Sequence, residues 1–158
     1  MERVLKGGHR VVAFNRTPEK TRDIVAKGAA GAFSLQELAD ALKAPRVVWV
    51  MVPSGDATEK MVEELSRVLS PGDLIVDGGN SRYSDSLRRA EALRVRGFSF
   101  VDAGTSGGVW GLQNGYCLMV GGAVRDIERL APALLRLRGL GAPDGLLESS
   151  GHRWFNGD

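Results

Sequence analysis

The sequence has a single cysteine and no long apolar run, and both scarcities limit what the protein can be. Cys117 cannot form an intramolecular disulfide, and its place in an apolar run indicates a buried thiol in a reducing compartment, so we expect a cytoplasmic protein. The longest apolar run, residues 47–52, is far shorter than a membrane span. The formal net charge of +2 comes from scattered arginine and lysine, so we expect no nucleic-acid or membrane partner, and we predict no metal ligands.

Apolar segments alternate with helical patterns along most of the chain. The predicted strands are 10–15, 46–52, 74–77, 98–101 and 117–120. The predicted helices are 17–27, 34–43, 55–69, 84–96 and 124–136. Such alternation is typical of an α/β protein with a doubly wound parallel sheet, the Rossmann type of fold that binds dinucleotides.

The glycine-rich phosphate loop of that fold is missing from the sequence. The loop normally follows the first strand, and the residue that contacts the ribose 2′ position lies about 20 residues later, at the end of the second strand. Asn15 stands at that second-strand end, so the loop and the first strand would fall before Met1. We therefore expect residues 1–6 to end the first helix, with Gly7 and Gly8 as its stop. A sheet that lacks this central strand should have open edges at the strands ending at Asn15 and Val52.

The triplet Asn15-Arg16-Thr17 is the first candidate for cofactor binding. A carboxylate usually stands at this position in NAD-specific enzymes, and asparagine removes its repulsion toward a 2′-phosphate. Arg16 can bind such a phosphate through charge-assisted hydrogen bonds, and Thr17 can add a hydroxyl. The alternative is that Thr17 only caps the following helix and Arg16 is solvated.

Two further candidate segments follow predicted strands, at the sheet edge where ligands bind in parallel α/β folds. One is Asp77-Gly78-Gly79-Asn80-Ser81, and the other contains Val52 and Pro53. The alternatives are a plain turn for the first segment and a strand stop for the second.

The segment 101–122 is the most informative part of the sequence because it contains seven glycines, five of which lie between two apolar runs. Ser106, Gly107 and Gly108 stand where missing side chains would let backbone N–H groups approach an anionic ligand. Glycines that only permit tight turns are the alternative.

These segments together resemble the decarboxylating 6-phosphogluconate dehydrogenases, in the shorter-chain branch of that family. They resemble the β-hydroxyacid dehydrogenases more loosely, since those enzymes usually have proline-valine in place of Gly104-Thr105. The first resemblance implies NADP-dependent oxidation of 6-phosphogluconate at its C3 hydroxyl, then loss of carbon dioxide to give ribulose 5-phosphate in the pentose phosphate pathway. It also implies that residues 1–139 form an incomplete NADP-binding domain.

The resemblance assigns roles to the candidate residues. It implies that Asn15, Arg16 and Thr17 bind NADP and that Val52 and Pro53 lie beside the cofactor. It implies that Asn80 contacts both the substrate and the nicotinamide region, and that the sugar acid is bound by Ser106, Gly107 and Gly108.

The catalytic base of the family has no counterpart in the sequence. Its lysine stands in a Gly-His-x-x-Lys-Met-Val-His-Asn-Gly run, whereas residues 151–158 read Gly-His-Arg-Trp-Phe-Asn-Gly-Asp and no lysine follows Lys60. Arg153 cannot be a neutral base near neutral pH. We therefore predict no catalytic residue, no turnover by this chain, a degenerate start of the linker helix at 140–158, and no helical C-terminal domain, through which the family forms homo-oligomers. A catalytically dead remnant that binds a nucleotide, a sugar phosphate or a partner is the alternative from another functional class.

Overall fold

The computed structural model describes residues 1–138, 146–149 and 152–155. Helices and strands alternate as the sequence predicts, except that a strand at Ala30–Ala32, which the sequence analysis missed, lies between the predicted helices 17–27 and 34–43. The helices are α1 (Glu2–Lys6), α2 (Pro18–Val25), α3 (Leu35–Asp40), α4 (Asp56–Val68), α5 (Tyr83–Val95), α6 (Gly111–Asn114) and α7 (Val124–Leu137). The strands are β1 (Val12–Phe14), β2 (Ala30–Ala32), β3 (Val47–Val50), β4 (Leu74–Asp77), β5 (Ser99–Ser106), β6 (Cys117–Gly122), β7 (Leu146–Ser149) and β8 (His152–Phe155).

The larger sheet has four strands in the order β3-β4-β5-β6. The first three are parallel, which confirms the predicted α/β class with a parallel sheet. The strand β6, however, runs antiparallel to β5. The connection from Gly107 to Tyr116 explains this direction, because a parallel crossover needs a dozen or more residues and this connection holds only a 3₁₀ turn and the short α6.

The strand β1 pairs in parallel with β2 in a separate two-stranded sheet. Within the described residues, β1 and β3 do not pair with each other, so the two edges that we expected to be open do not close up. Side chains connect the two sheets instead. Val12 and Phe14 of β1 pack against the same apolar cluster that contains Val48 and Val50 of β3, and Leu38 of α3 belongs to it as well.

A second apolar cluster covers the opposite face of the larger sheet. It joins β4, β5 and β6 to α7 through residues that include Val76, Val101, Ile127 and Leu130. The helix α1 packs beside α7, where the Arg3 guanidinium donates to main-chain carbonyls that include that of Arg136. The helix ends as predicted, because Gly7 is its C-cap.

Local hydrogen bonds explain where two other helices begin. The helix start predicted at Ser34 is confirmed, since Ser34 is the N-cap of α3 and its Oγ accepts the Glu37 N–H at 3.1 Å. Thr17 stands at the N-cap of α2 but its side chain makes no capping bond. Asn15 Oδ1 accepts the Thr17 N–H at 2.9 Å instead, so the local turn is closed by the asparagine.

The expected linker helix at 140–158 lies mostly outside the described residues. Its described parts, β7 and β8, pair as antiparallel strands with Ser149 opposite His152, so these eight residues are extended rather than helical. Two residues separate these strands in the sequence, a spacing typical of β-hairpins. Among the helices that the structure describes, none is long and apolar enough to cross a lipid bilayer.

Candidate functional site

The turn after β4 is organised by the carboxylate of Asp77, which is completely buried. Asp77 Oδ1 accepts the Gly79 N–H at 2.9 Å, and Oδ2 accepts the Ser81 hydroxyl at 2.7 Å. The Gly78 N–H continues the sheet by donating to the Val50 carbonyl at 2.8 Å. The segment 77–81 is therefore a closed turn at the carboxyl end of the parallel strands.

Asn80 lies at the tip of this turn, with φ of +55° in the left-handed region. Its side chain bonds to the main chain of one residue on the neighbouring strand. Oδ1 accepts the Thr105 N–H at 2.9 Å, and Nδ2 donates to the Thr105 carbonyl at 3.2 Å. A primary amide has two N–H groups and two carbonyl lone pairs, so one of each is left for another partner. Asn80 thus joins the 77–81 turn to the segment that contains Ser106.

Ser106 is the last residue of β5, further along than the sequence predicts, because the ladder to β6 continues as far as Ser106 and Cys117. Ser106, Gly107 and Gly108 are exposed. Gly107 has φ of +137° and Gly108 has φ of +49°, so the chain turns sharply and its amides are not covered by side chains of its own. The structure therefore brings Asn80 and the Ser106–Gly108 loop to one edge of the sheet.

Val52 and Pro53 lie beside the 77–81 turn. The Val52 carbonyl oxygen would be only 2.6 Å from a Cβ placed on Gly79, so the two backbones approach closely where a glycine permits it. The Pro53 carbonyl accepts the hydroxyl of the buried Thr58 at 3.0 Å, which fixes the segment to the start of α4. Pro53 itself is exposed.

Asn15, Arg16 and Thr17 lie at the carboxyl end of β1, in the smaller sheet. All three are exposed, and the Asn15 N–H donates to Oγ1 of the buried Thr21 at 3.0 Å. The Thr17 hydroxyl makes no cap bond, so the structure gives no support to a role as helix cap alone. This triplet therefore offers a guanidinium, a hydroxyl and an amide to solvent.

A cluster of charges next to the 77–81 turn, buried at Asp77 and Arg89, half-buried at Glu59 and exposed at Arg88, was missed by the sequence analysis. The Arg89 side chain is 2% exposed and donates from Nη1 to Asp77 Oδ2 at 3.0 Å and from Nε to Glu59 Oε2 at 2.9 Å. Arg88 also binds Glu59, through both carboxylate oxygens at 2.8 Å. These bonds, with that from Arg88 foremost, lower the pKa of Glu59 to about 2. One signal was present in the sequence, because a carboxylate that ends a wholly apolar strand requires a buried partner.

Asp102 adds a further carboxylate near this cluster, since it is paired with Asp77 in the register of β4 and β5. Burial raises the pKa of Asp102 above its ordinary value, and the charge of Asp77 acts in the same direction. In the part of the chain that the structure describes, no group of three or more histidine, cysteine, aspartate or glutamate side chains is arranged to hold a metal ion.

Comparisons with known proteins identify the family of this chain. Residues 1–139 match the family described as the NAD binding domain of 6-phosphogluconate dehydrogenase. A relative from Haloferax volcanii, named an NAD(+)-dependent decarboxylating 6-phosphogluconate dehydrogenase, is 41% identical over 132 residues, which are 84% of this chain and 43% of the relative. The decarboxylating 6-phosphogluconate dehydrogenase of Escherichia coli is 36% identical over 142 residues, which are 87% of this chain and 30% of the relative.

Solved structures show the same relationship. The 6-phosphogluconate dehydrogenase of Plasmodium falciparum, whose structures include complexes with NADP+ and with 6-phosphogluconate, superimposes with a TM-score of 0.82 and 25% identity over 89% of this chain and 31% of its own. A 3-hydroxyisobutyrate dehydrogenase of Mycobacterium tuberculosis gives a TM-score of 0.77 and 25% identity over 86% of this chain and 46% of its own. The chain spans less than half the length of each of these relatives. By the match over residues 1–139, it belongs to the 6-phosphogluconate dehydrogenase family, in the NAD-binding domain of that family.

Proposed function

We propose that this chain is the NADP-binding domain, over residues 1–139, of an enzyme that oxidises and decarboxylates 6-phosphogluconate in the cytoplasm, as part of the pentose phosphate pathway. The observation that carries the proposal is the pair of hydrogen bonds between Asn80 and Thr105. These bonds join the 77–81 turn, whose Asn80 is implied by the resemblance to contact both the substrate and the nicotinamide region, to the loop that resembles the family's substrate-binding segment. The relatives' names supply the substrate class.

The exposed groups fit the two ends of the proposed ligands. Asn15, Arg16 and Thr17 offer donors and no carboxylate, which suits a ribose 2′-phosphate. NADP, when bound, supplies the acceptor for the hydride that leaves the substrate. The Ser106 hydroxyl and the amides that follow it are fixed dipoles, and they can orient a sugar carboxylate without adding a group that titrates. The sequence supplies no lysine near this loop, so we propose that these residues bind and orient rather than move the proton.

The proposal is tested by titrating the ¹⁵N-labelled chain with 6-phosphogluconate. We expect the largest amide shifts at Ser106, Gly107 and Gly108. Replacing Ser106 by alanine should weaken binding about two- to tenfold, because a hydroxyl hydrogen bond is lost. Ser84→Ala, at an exposed serine on α5, is the matched control and should bind like the wild type.

Two outcomes of this titration would contradict the proposal. Shifts of equal size with inorganic phosphate would show that the loop does not recognise the sugar acid. Tighter binding of 3-hydroxyisobutyrate than of 6-phosphogluconate would favour the β-hydroxyacid dehydrogenases, because the chain also resembles the Mycobacterium tuberculosis 3-hydroxyisobutyrate dehydrogenase in fold.

The choice between NADP and NAD depends on Arg16 in this proposal. We expect NADP to bind more tightly, and Arg16→Ala to remove about ten- to a hundredfold of that preference, since a charged hydrogen bond to the 2′-phosphate is lost. Arg22→Ala is the control, because Arg22 is also exposed and cationic on α2 but is paired with Glu19. Affinities for both cofactors are measured by calorimetry. The Haloferax volcanii relative is named NAD(+)-dependent, so NAD must be measured beside NADP. Equal affinities of the wild type for NAD and NADP would overturn the assignment to NADP.

A further inference from the structure

Arg89 is a charged side chain at a buried position, where apolar side chains are more usual. It lies on α5 with 2% of its side chain exposed, and the charges that face it are Asp77 from β4, Glu59 from α4, Arg88 from its own helix and Asp102 from β5. Burying such a group is costly, and apolar replacements of buried ion pairs are often as stable. A contribution to stability therefore does not by itself explain why an arginine is buried at this position. The contacts of Arg89 indicate a second role.

Those contacts hold the turn on both sides of Asn80. Arg89 Nη1 donates to Asp77 Oδ2 and to Ser81 Oγ, each at 3.0 Å. Asp77 in turn accepts the Ser81 hydroxyl through Oδ2 and the Gly79 N–H through Oδ1. Gly79 and Ser81 are the neighbours of Asn80 in the chain, so both ends of this single residue are tied to the Arg89–Asp77 pair.

The backbone of Asn80 needs such support. It is the one residue other than glycine with positive φ among the described residues, at +55°. That conformation directs its amide to the Thr105 main chain, which immediately precedes Ser106. An unbroken series of contacts thus runs from the buried guanidinium, through Asp77 and Ser81 to Asn80, and from there to the Ser106–Gly108 loop.

We propose that Arg89 is a positioning residue, which holds Asn80 in its left-handed conformation and thereby sets the place of the Ser106–Gly108 loop. Its effect on ligand affinity rests on the proposed function, whereas its effect on the geometry of the loop does not. Glu59 accepts from Nε and orients the guanidinium from its other side.

The neighbouring arginines supply a matched pair of variants. Arg88→Gln and Arg89→Gln each remove a cation bound to Glu59, but only Arg89 contacts Asp77 and Ser81. In Arg89→Gln we expect amide exchange at Thr105 and Gly79 to accelerate about tenfold or more. The amides of Leu74 and Gly78, bonded to main-chain carbonyls of the β3 segment, should keep their protection. Affinity for 6-phosphogluconate should fall about ten- to a hundredfold, and Arg88→Gln should change neither quantity by more than about threefold.

Each result decides for or against the proposal. Unchanged exchange at Thr105 in Arg89→Gln overturns it, and so does an equal loss of protection at Thr105, Leu74 and Gly78, which marks a merely structural role. If Arg89→Gln does not fold, Ser81→Ala takes its place, because it removes the hydroxyl between Arg89 and Asp77, and the same selective loss at Thr105 is expected. If the wild type does not bind 6-phosphogluconate, the proposed function fails, and exchange at Thr105 still decides the role of Arg89.

Discussion

Replacing Gly107 by alanine should reduce binding of 6-phosphogluconate by about ten- to a hundredfold, because the loop cannot keep its shape with a side chain there. Gly107 has φ of +137°, a conformation that costs about 1–3 kcal/mol for any residue with a Cβ. The added carbon would also lie 3.2 Å from the Tyr116 ring and 3.4 Å from the Gly115 carbonyl. The loop must therefore adopt another conformation, which moves the amides that we propose to bind the sugar acid.

Two other glycines serve as controls for this prediction. Gly121→Ala should bind like the wild type, because its Cβ would meet no atom within 4 Å and its φ is not positive. Gly108→Ala should have an intermediate effect, since there is space for the Cβ but φ is +49°. Binding is measured by calorimetry, and folding by circular dichroism. Wild-type affinity in Gly107→Ala would show that the backbone conformation of this loop does not contribute to recognition.

The parts of the fold that sequence predicts well are those fixed by local patterns. The strand β4 has the predicted bounds, because four apolar or strand-ending residues lie between the Pro-Gly turn and the Gly-Gly turn. The predicted start of α3 agrees with the cap between Ser34 and Glu37, residues only three apart. In such cases the determining interactions lie within one turn of the chain.

Pairings between distant segments could not be predicted in the same way. The direction of β6 and the extension of β5 to Ser106 depend on a ladder that composition does not reveal. The meeting of Asn80 with the Ser106 loop agrees with the general rule that the carboxyl ends of parallel strands share one edge, but the sequence does not show which side chains meet there. The roles proposed for these residues in binding remain predictions.

The Arg89 cluster shows why site geometry is harder to predict than elements. The sequence predicts a helix over 84–96, which is correct but does not identify which of its arginines is buried. Arg88 and Arg89 are adjacent and chemically identical, yet one is 57% exposed and the other 2%. Only the rotation of α5 against β4 and α4 distinguishes them, and that rotation is set by packing over the whole helix.

Stability should depend strongly on a different buried pair, which lies at the amino end of β3 and β4. The Asp73 carboxylate is 2% exposed and bonds to the Arg46 guanidinium at 2.9 Å. It also accepts the main-chain N–H groups of Arg46 at 2.6 Å and of Ser70 at 2.9 Å. Asp73→Ala leaves these donors without their acceptor, and we expect it to lower the free energy of unfolding by about 3–5 kcal/mol. Asp73→Asn, which keeps one acceptor oxygen, should be intermediate.

The pH dependence of this loss tests the same interaction. Burial on its own would raise the pKa of Asp73, but the bonds from Ser70 and Arg46 together hold that pKa below its ordinary value. A carboxylate with a lowered folded-state pKa contributes its stability above the unfolded-state pKa and loses it as the pH falls through the folded-state pKa. Urea unfolding of the wild type and Asp73→Ala should therefore differ most near about pH 7 and converge toward about pH 3. Glu91→Ala is the control, because it removes an exposed pair with Arg94 and should leave the unfolding free energy unchanged across this pH range. If Asp73→Ala instead lowers the free energy of unfolding by the same amount at every pH, the charge of Asp73 is not what stabilises the fold.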